Sequence, residues 1–147
     1  MRPKEVVILV FSSFMVFGCA DKLEDEPINN IVLSNERTYN EIKEFEITLE
    51  TIFDVESESF YAYFYSLTCS HCHELKDFII EKGLERQDIY FIQSSANDQF
   101  TTDPNLVINA ENPGDIYILG YPTMLKIENK KVTKNLVGND EIIQELK

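Results

Sequence analysis

Residues 60–72 read Phe60-Tyr61-Ala62-Tyr63-Phe64-Tyr65-Ser66-Leu67-Thr68-Cys69-Ser70-His71-Cys72. Five of the first six are aromatic, without clean alternation of polar and apolar positions. A strand apolar on both faces belongs in the centre of a sheet covered on both sides. The run stops at Ser66-Leu67-Thr68, and beyond Cys72 the residues Leu75, Phe78, Ile79 and Leu84 recur at helical spacing. Gly83 is placed as the C′ residue that ends this helix. The stretch therefore predicts a central strand, a short turn and a helix, with two cysteines where the helix starts. A helix N-terminus carries partial positive charge and unsatisfied N–H groups, both of which favour thiolate over thiol. Cys69, at the first turn, is the expected attacking sulfur. Two intervening residues bring Cys72 within bonding range, so it can resolve a mixed disulfide by attacking Cys69. Ser70 and His71 lie inside the loop, and a protonated His71 or His73 would further stabilise a thiolate.

Outward from this core, Ile31-Val32-Leu33 predicts a short first strand. Thr38-Tyr39-Asn40-Glu41 has the form of a capping box, and Ile42, Phe45, Leu49, Ile52 and Phe53 then share one helical face. One helix is expected from there to about residues 54–57. Ile89-Tyr90-Phe91-Ile92 predicts a strand, and residues 94–115, rich in Asn, Asp, Thr and Pro, give no clear period. Gly120-Tyr121-Pro122-Thr123 opens a strand through Ile127. Asn129-Lys130 makes a tight hairpin turn into a last strand over 131–137. Gly138 breaks the chain, and Asp140 is placed as the cap of a final helix containing Ile142, Ile143 and Leu146. The order β-α-β-α-β-(irregular)-β-β-α implies an α/β protein with a mixed sheet and helices on both faces.

The N-terminal stretch differs in composition. Arg2 and Lys4 precede a largely apolar run from Val6 to Phe17, broken only by Ser12 and Ser13. It is too short for a bilayer span, which takes about 20 apolar residues, and suits the h-region of a signal peptide. Val16-Phe17-Gly18-Cys19 closes it, ahead of a strongly polar stretch. A small residue followed by Cys at that point resembles the bacterial lipobox, although Phe17 is bulky for it. The resemblance implies that residues 1–18 are a lipoprotein signal peptide and that Cys19 is acylated. Residues 19–30, charged and containing Pro27 and Asn29-Asn30, then read as an acidic tether, and 31–147 as one domain. The expected location is the extracytoplasmic face of the cell membrane, held there by the lipid.

Three cysteines fit this division: with Cys19 acylated, only the pair at 69 and 72 remains. An exported domain meets an oxidising compartment, where such a pair readily forms a disulfide. The net charge is −13. Without residues 1–18, which carry +1 (Arg2 and Lys4 against Glu5), it is −14. So acidic a domain offers no basic patch for nucleic acid.

Phe64-Tyr65 leading into Cys69-Ser70-His71-Cys72, then Gly120-Tyr121-Pro122-Thr123 and Met124-Leu125-Lys126-Ile127, resembles the thioredoxin-like superfamily over residues 31–147. The resemblance implies a three-layer α/β/α sandwich around a mixed central sheet. It also implies a cis Pro122 opposite the cysteines, with Tyr121, Pro122 and Thr123 lining a groove for extended substrates. Its implied activity is thiol–disulfide exchange on exported cysteine-containing proteins, with no cofactor beyond a Cys69–Cys72 disulfide and no metal. A membrane electron carrier is one implied redox partner. The Ser-His dipeptide is similar to that of disulfide isomerases and oxidases. Tyr63 departs from the family, which often has a buried carboxylate there. Thr68 stands where Trp is common, and the segment before Pro122 is longer than in minimal members.

The same residues admit three other readings. Cys69-Ser70-His71-Cys72-His73 has the spacing of a c-type haem attachment, but Met124 is the only methionine beyond the N-terminal segment and falls in a strand. A zinc site could take both cysteines with His71 or His73, leaving its last place to a carboxylate, water or a second chain. Third, the fold could hold partners without turnover. The missing carboxylate and the long segment 94–115 argue for that reading.

Overall fold

The computed structural model describes residues 36–147. The expectations for residues 1–18, the tether 19–30, Cys19 and the strand at 31–33 lie outside the described residues.

Strand β1, Ser59–Tyr65, occupies the interior of a four-stranded sheet. It pairs in parallel with β2 (Ile89–Gln93) and antiparallel with β5 (Thr123–Glu128), which pairs antiparallel with β6 (Lys131–Val137). The order β2-β1-β5-β6 makes the sheet mixed. Helix α1, Ser70–Arg86, connects β1 to β2, and α2, Gly138–Leu146, follows β6. The β5–β6 turn places both Asn129 and Lys130 at positive φ, 51° and 64°, the pairing a two-residue hairpin of type I′ requires. Lys130 also donates its ammonium to the carbonyls of Phe53 and Val55.

The aromatic strand has an alternation that hydrophobicity alone hides. Tyr61, Tyr63 and Tyr65 face one core with Cys72, Leu75, Ile79 and Ile80 of α1 and Ile142 and Leu146 of α2. Phe60, Ala62 and Phe64 face the other core with Leu49, Ile52, Val107, Ile116 and Ile118. A strand buried on both sides has every hydroxyl-bearing ring on one side and every plain one on the other.

Three expectations are corrected. The single helix at 38–57 is instead two 3₁₀ segments, Tyr39–Phe45 and Leu49–Asp54. Between them the chain is extended: Glu46 forms a parallel bridge with Phe91, and Ile47 N–H donates to the Phe91 carbonyl at 2.9 Å. Thus the edge of β2 claims backbone groups that a continuous helix would have used. Thr38 and Thr48 each begin a capping box at the start of one segment. Gly83 is not the C′ residue: Gln87, at φ 58°, ends α1, and Gly83 is buried inside it. A Cβ there would stand 2.8 Å from two ring atoms of Phe91, so only glycine lets helix and strand approach so closely. Asp140 does not cap α2. The helix starts at Gly138, and the Glu141 carboxylate accepts from the Val137 N–H at 2.8 Å.

The two faces of the sheet are covered by different kinds of structure. The Tyr face of the sheet carries α1 and α2, but the Phe face is covered by the 3₁₀ segment 49–54 and the irregular stretch around 104–118. That stretch includes β3 (Gln99–Phe100), paired in parallel with β4 (Tyr117–Ile118), and a 3₁₀ turn at Pro113–Asp115. It docks on β6 through Asn109 N–H to Val132 O (2.9 Å) and Val132 N–H to Ala110 O (3.0 Å), which covers part of an otherwise open strand edge.

Candidate functional site

The end of β1 delivers the chain to a tight turn, and Cys69 becomes the N-cap of α1 in an extended conformation. Capping requires a side-chain acceptor for the N–H groups of the first turn. Here the acceptor is sulfur: Cys72 N–H donates to Cys69 Sγ at 3.2 Å. Both cysteines are free thiols; Cys69 is half-buried and Cys72 buried at 1% exposure. The arrangement presents one sulfur to solvent at the positive end of a helix and keeps the second one turn behind it, inside. Burial first, then the hydrogen bond with Cys69, pushes the Cys72 thiol up to about 12.

Across from the helix start, the Tyr121–Pro122 peptide is cis. The Cys69 thiol donates to the Tyr121 carbonyl at 3.3 Å. Tyr121 is held from its other end, its hydroxyl donating to Asp98 and its ring meeting Phe100 edge-on at 5.7 Å. Burial, then the bond to Asp98, raises the Tyr121 phenol above its usual range. Pro122 is buried, and its carbonyl accepts from Gly138 N–H at 3.0 Å.

The structure thus brings Cys69, Cys72 and Tyr121 together and separates other residues singled out in the sequence. Ser70 is exposed at the first helical position. His71 is exposed, its Nδ1 lying 3.2 Å from the Glu74 carboxylate. His73 lies 3.8 Å from Glu36. Both imidazoles are largely exposed and engaged with carboxylates, which the acidic surface supplies in excess. Thr123 cannot line a groove: it is fully buried and donates its hydroxyl to Gly120 O at 2.8 Å. Among the described residues, no group of three or more His, Cys, Asp and Glu is placed to hold a metal ion.

Sequence reasoning missed Phe100 and Asp98, which the topology carries from the irregular segment to Tyr121. It also missed Leu67, 63% exposed beside Cys69, and Tyr39, which stacks on Tyr65 at 4.0 Å. For Tyr63 a signal existed, the run of alternate tyrosines, but only the structure shows which hydroxyls find partners.

No family model matches the chain, and no curated protein matches it. Among solved structures it is similar to mitochondrial thioredoxin 3 of Saccharomyces cerevisiae, at 12% identity and TM-score 0.45, over 68% of this chain and 88% of that one. Thioredoxin f2 of Chlamydomonas reinhardtii is similar at 16% identity and TM-score 0.45, over 69% and 91%. Spinach chloroplast thioredoxin f is similar at 16% and 0.46, over 69% and 81%. The strand order β2-β1-β5-β6, the parallel β1–α1–β2 unit and the closing hairpin with α2 are the features that define the architecture. They give the chain a thioredoxin-like α/β fold.

Proposed function

We propose that the chain is a thiol–disulfide oxidoreductase, exported and held on the extracytoplasmic face of the membrane by acylated Cys19. Its substrates are exported cysteine-containing proteins. In the reducing direction, Cys69 thiolate attacks a substrate disulfide, forming a mixed disulfide and releasing one substrate thiol. Cys72 then attacks Cys69, releasing the second thiol and leaving a Cys69–Cys72 disulfide; oxidation of a substrate is the reverse. The observation that carries this reading is the asymmetry of the pair: an accessible sulfur that accepts a helix-start N–H, backed by a buried one. No helix among the described residues is long and apolar enough to cross a membrane.

Insulin reduction by dithiothreitol and refolding of a scrambled disulfide substrate test the activity, with Cys69→Ser as control. Turnover abolished by Cys69→Ser is expected. A rate equal in the two proteins would sink the catalytic reading in favour of a binding role. Equilibration with glutathione gives the reduction potential and thereby the working direction. A potential more oxidising than that of glutathione would assign the chain to oxidation of its clients. A membrane electron carrier would be the partner in the opposite direction.

A further inference from the structure

The three tyrosines of β1 that face α1 differ in one respect. Tyr61 donates its hydroxyl to Glu145 at 2.8 Å, and Tyr65 donates to Glu46 at 2.9 Å. Between them, Tyr63 is fully buried, and neither its hydroxyl nor the buried Tyr39 hydroxyl makes a well-formed hydrogen bond, although the two phenols lie near enough to bias each other's proton. Buried hydroxyls are nearly always satisfied, and each exception calls for an explanation. Both rings belong to the cluster that contains Cys69 and Cys72. Tyr39 lies over Tyr65 with centroids 4.0 Å apart, and Tyr63 lies parallel to Tyr65 at 6.1 Å. Two idle donors therefore stand in the core next to a thiol that must ionise there to act.

We propose that Tyr63, backed by Tyr39, is a positioning residue for the resolving thiol, its hydroxyl donating to the Cys72 sulfur as that sulfur becomes a thiolate, while Tyr39 donates to Tyr63. The inference rests on the exchange reaction proposed above and deepens it. In the resolving step Cys72 loses its proton, its thiolate attacks Cys69 Sγ, and the bond between Cys69 and the partner sulfur breaks. The partner leaves as a thiolate and takes up a proton; the two cysteines are oxidised to a disulfide and the partner sulfur is reduced. The phenols keep their protons throughout. Burial raises both above the ordinary phenol range, and the charge of Cys72 raises both further. Hydroxyls so reluctant to ionise serve as donors, not as bases. The other titratable groups facing Cys72 are Cys69 on its own helix and Tyr121, the latter engaged by Asp98.

Stopped-flow reaction with 5,5′-dithiobis(2-nitrobenzoate) separates the two steps. Cys69 attack releases one thionitrobenzoate, and Cys72 attack on the adduct releases a second. Tyr63→Phe is expected to slow the second phase on the order of tenfold, the worth of a hydrogen bond to a charged group. It is also expected to move that phase's pH profile upward while leaving the first phase unchanged. Tyr39→Phe should act in the same direction and more weakly, and Tyr61→Phe should change neither phase. Urea titration checks folding, which removal of an unpartnered hydroxyl does not weaken. A second phase of wild-type rate and pH profile in the Tyr39→Phe/Tyr63→Phe protein would overturn the inference and leave the exchange reading intact. A wild-type protein that releases a single equivalent would overturn both.

Discussion

The backbone N–H of Cys72 points at the sulfur of Cys69 across 3.2 Å, while the Cys72 side chain itself is 1% exposed. One residue thus offers its main chain to the other's sulfur and withholds its own thiol. Iodoacetamide at pH 8 is expected to modify Cys69 and spare Cys72. With a thiol pushed up to about 12, the thiolate fraction of Cys72 lies on the order of a thousandfold below that of a free cysteine. Peptide mapping by mass spectrometry reads the ratio. In Cys69→Ser, Cys72 alkylation should keep rising with pH through the range where free thiols have levelled off.

The same burial makes a statement about stability. Cys72 holds its proton more tightly folded than unfolded, where an ordinary thiol titrates near 8.5. Below about pH 8.5 both states keep the proton and the contribution is intact. Above it the unfolded chain binds fewer protons, so stability falls as pH climbs toward about 12. The raised tyrosines Tyr63 and Tyr39 add to the loss above pH 10. The urea midpoint of the dithiol protein is expected to drop between pH 8.5 and 10, and Cys72→Ala should lack most of that drop.

Gly83→Ala sets two effects against each other. Alanine favours a helix interior by up to about 1 kcal/mol over glycine. The new Cβ would meet the Phe91 ring at 2.8 Å, and overpacking a core costs about 1–3 kcal/mol. Steric cost wins, so a lower urea midpoint is expected. Phe91→Leu, destabilising alone, should recover part of the loss in the double variant. Additive penalties would show that the contact is not the cause.

Tyr61→Phe and Tyr63→Phe remove the same atom from neighbouring positions on one face. Tyr61 gives up a hydrogen bond to the Glu145 carboxylate, and bonds to charged groups are worth about 1.5–3 kcal/mol. Tyr63 gives up none, so its variant should be as stable as the parent or more so. Chemical denaturation of the two proteins side by side measures the difference.

Phe100 is 57% exposed and meets the Tyr121 ring edge-on. Phe100→Ala is expected to lower kcat/KM for a protein disulfide several-fold while leaving reaction with a small aromatic disulfide near wild type. Equal loss on both substrates would place Phe100 in the chemistry rather than in client contact.

Much of this was legible in residues 60–72, because a doubly buried strand and a helix each impose a pattern that short-range chemistry writes into the chain. The hairpin at Asn129-Lys130 was legible for the same reason. What escaped depends on distant partners. The helical face of Ile42, Phe45 and Leu49 was real as a pattern, but Phe91 takes the backbone N–H of Ile47 and divides the segment. Gly83 looked like a terminator because its packing partner lies on another element. His71 looked like an activator until Glu74, three residues on, offered its ring a carboxylate. Thr123 belonged to a groove motif, yet its hydroxyl closes the turn inward onto Gly120. Phe100 and Asp98 carried no local signal at all.

The attachment of residues 98–100 to Tyr121 separates two jobs along the polypeptide. The two cysteines belong to the strand–turn–helix piece, whereas in the proposed function the rim that an incoming client meets is furnished by the least regular stretch of the chain. Such a stretch can be lengthened, shortened or exchanged with little disturbance to the sulfurs, provided Val107, Ala110, Ile116 and Ile118 still plug the sheet behind it. On the proposed function, client choice would be free to diverge faster than redox chemistry, and a graft of the 94–118 region is expected to transplant the one without the other.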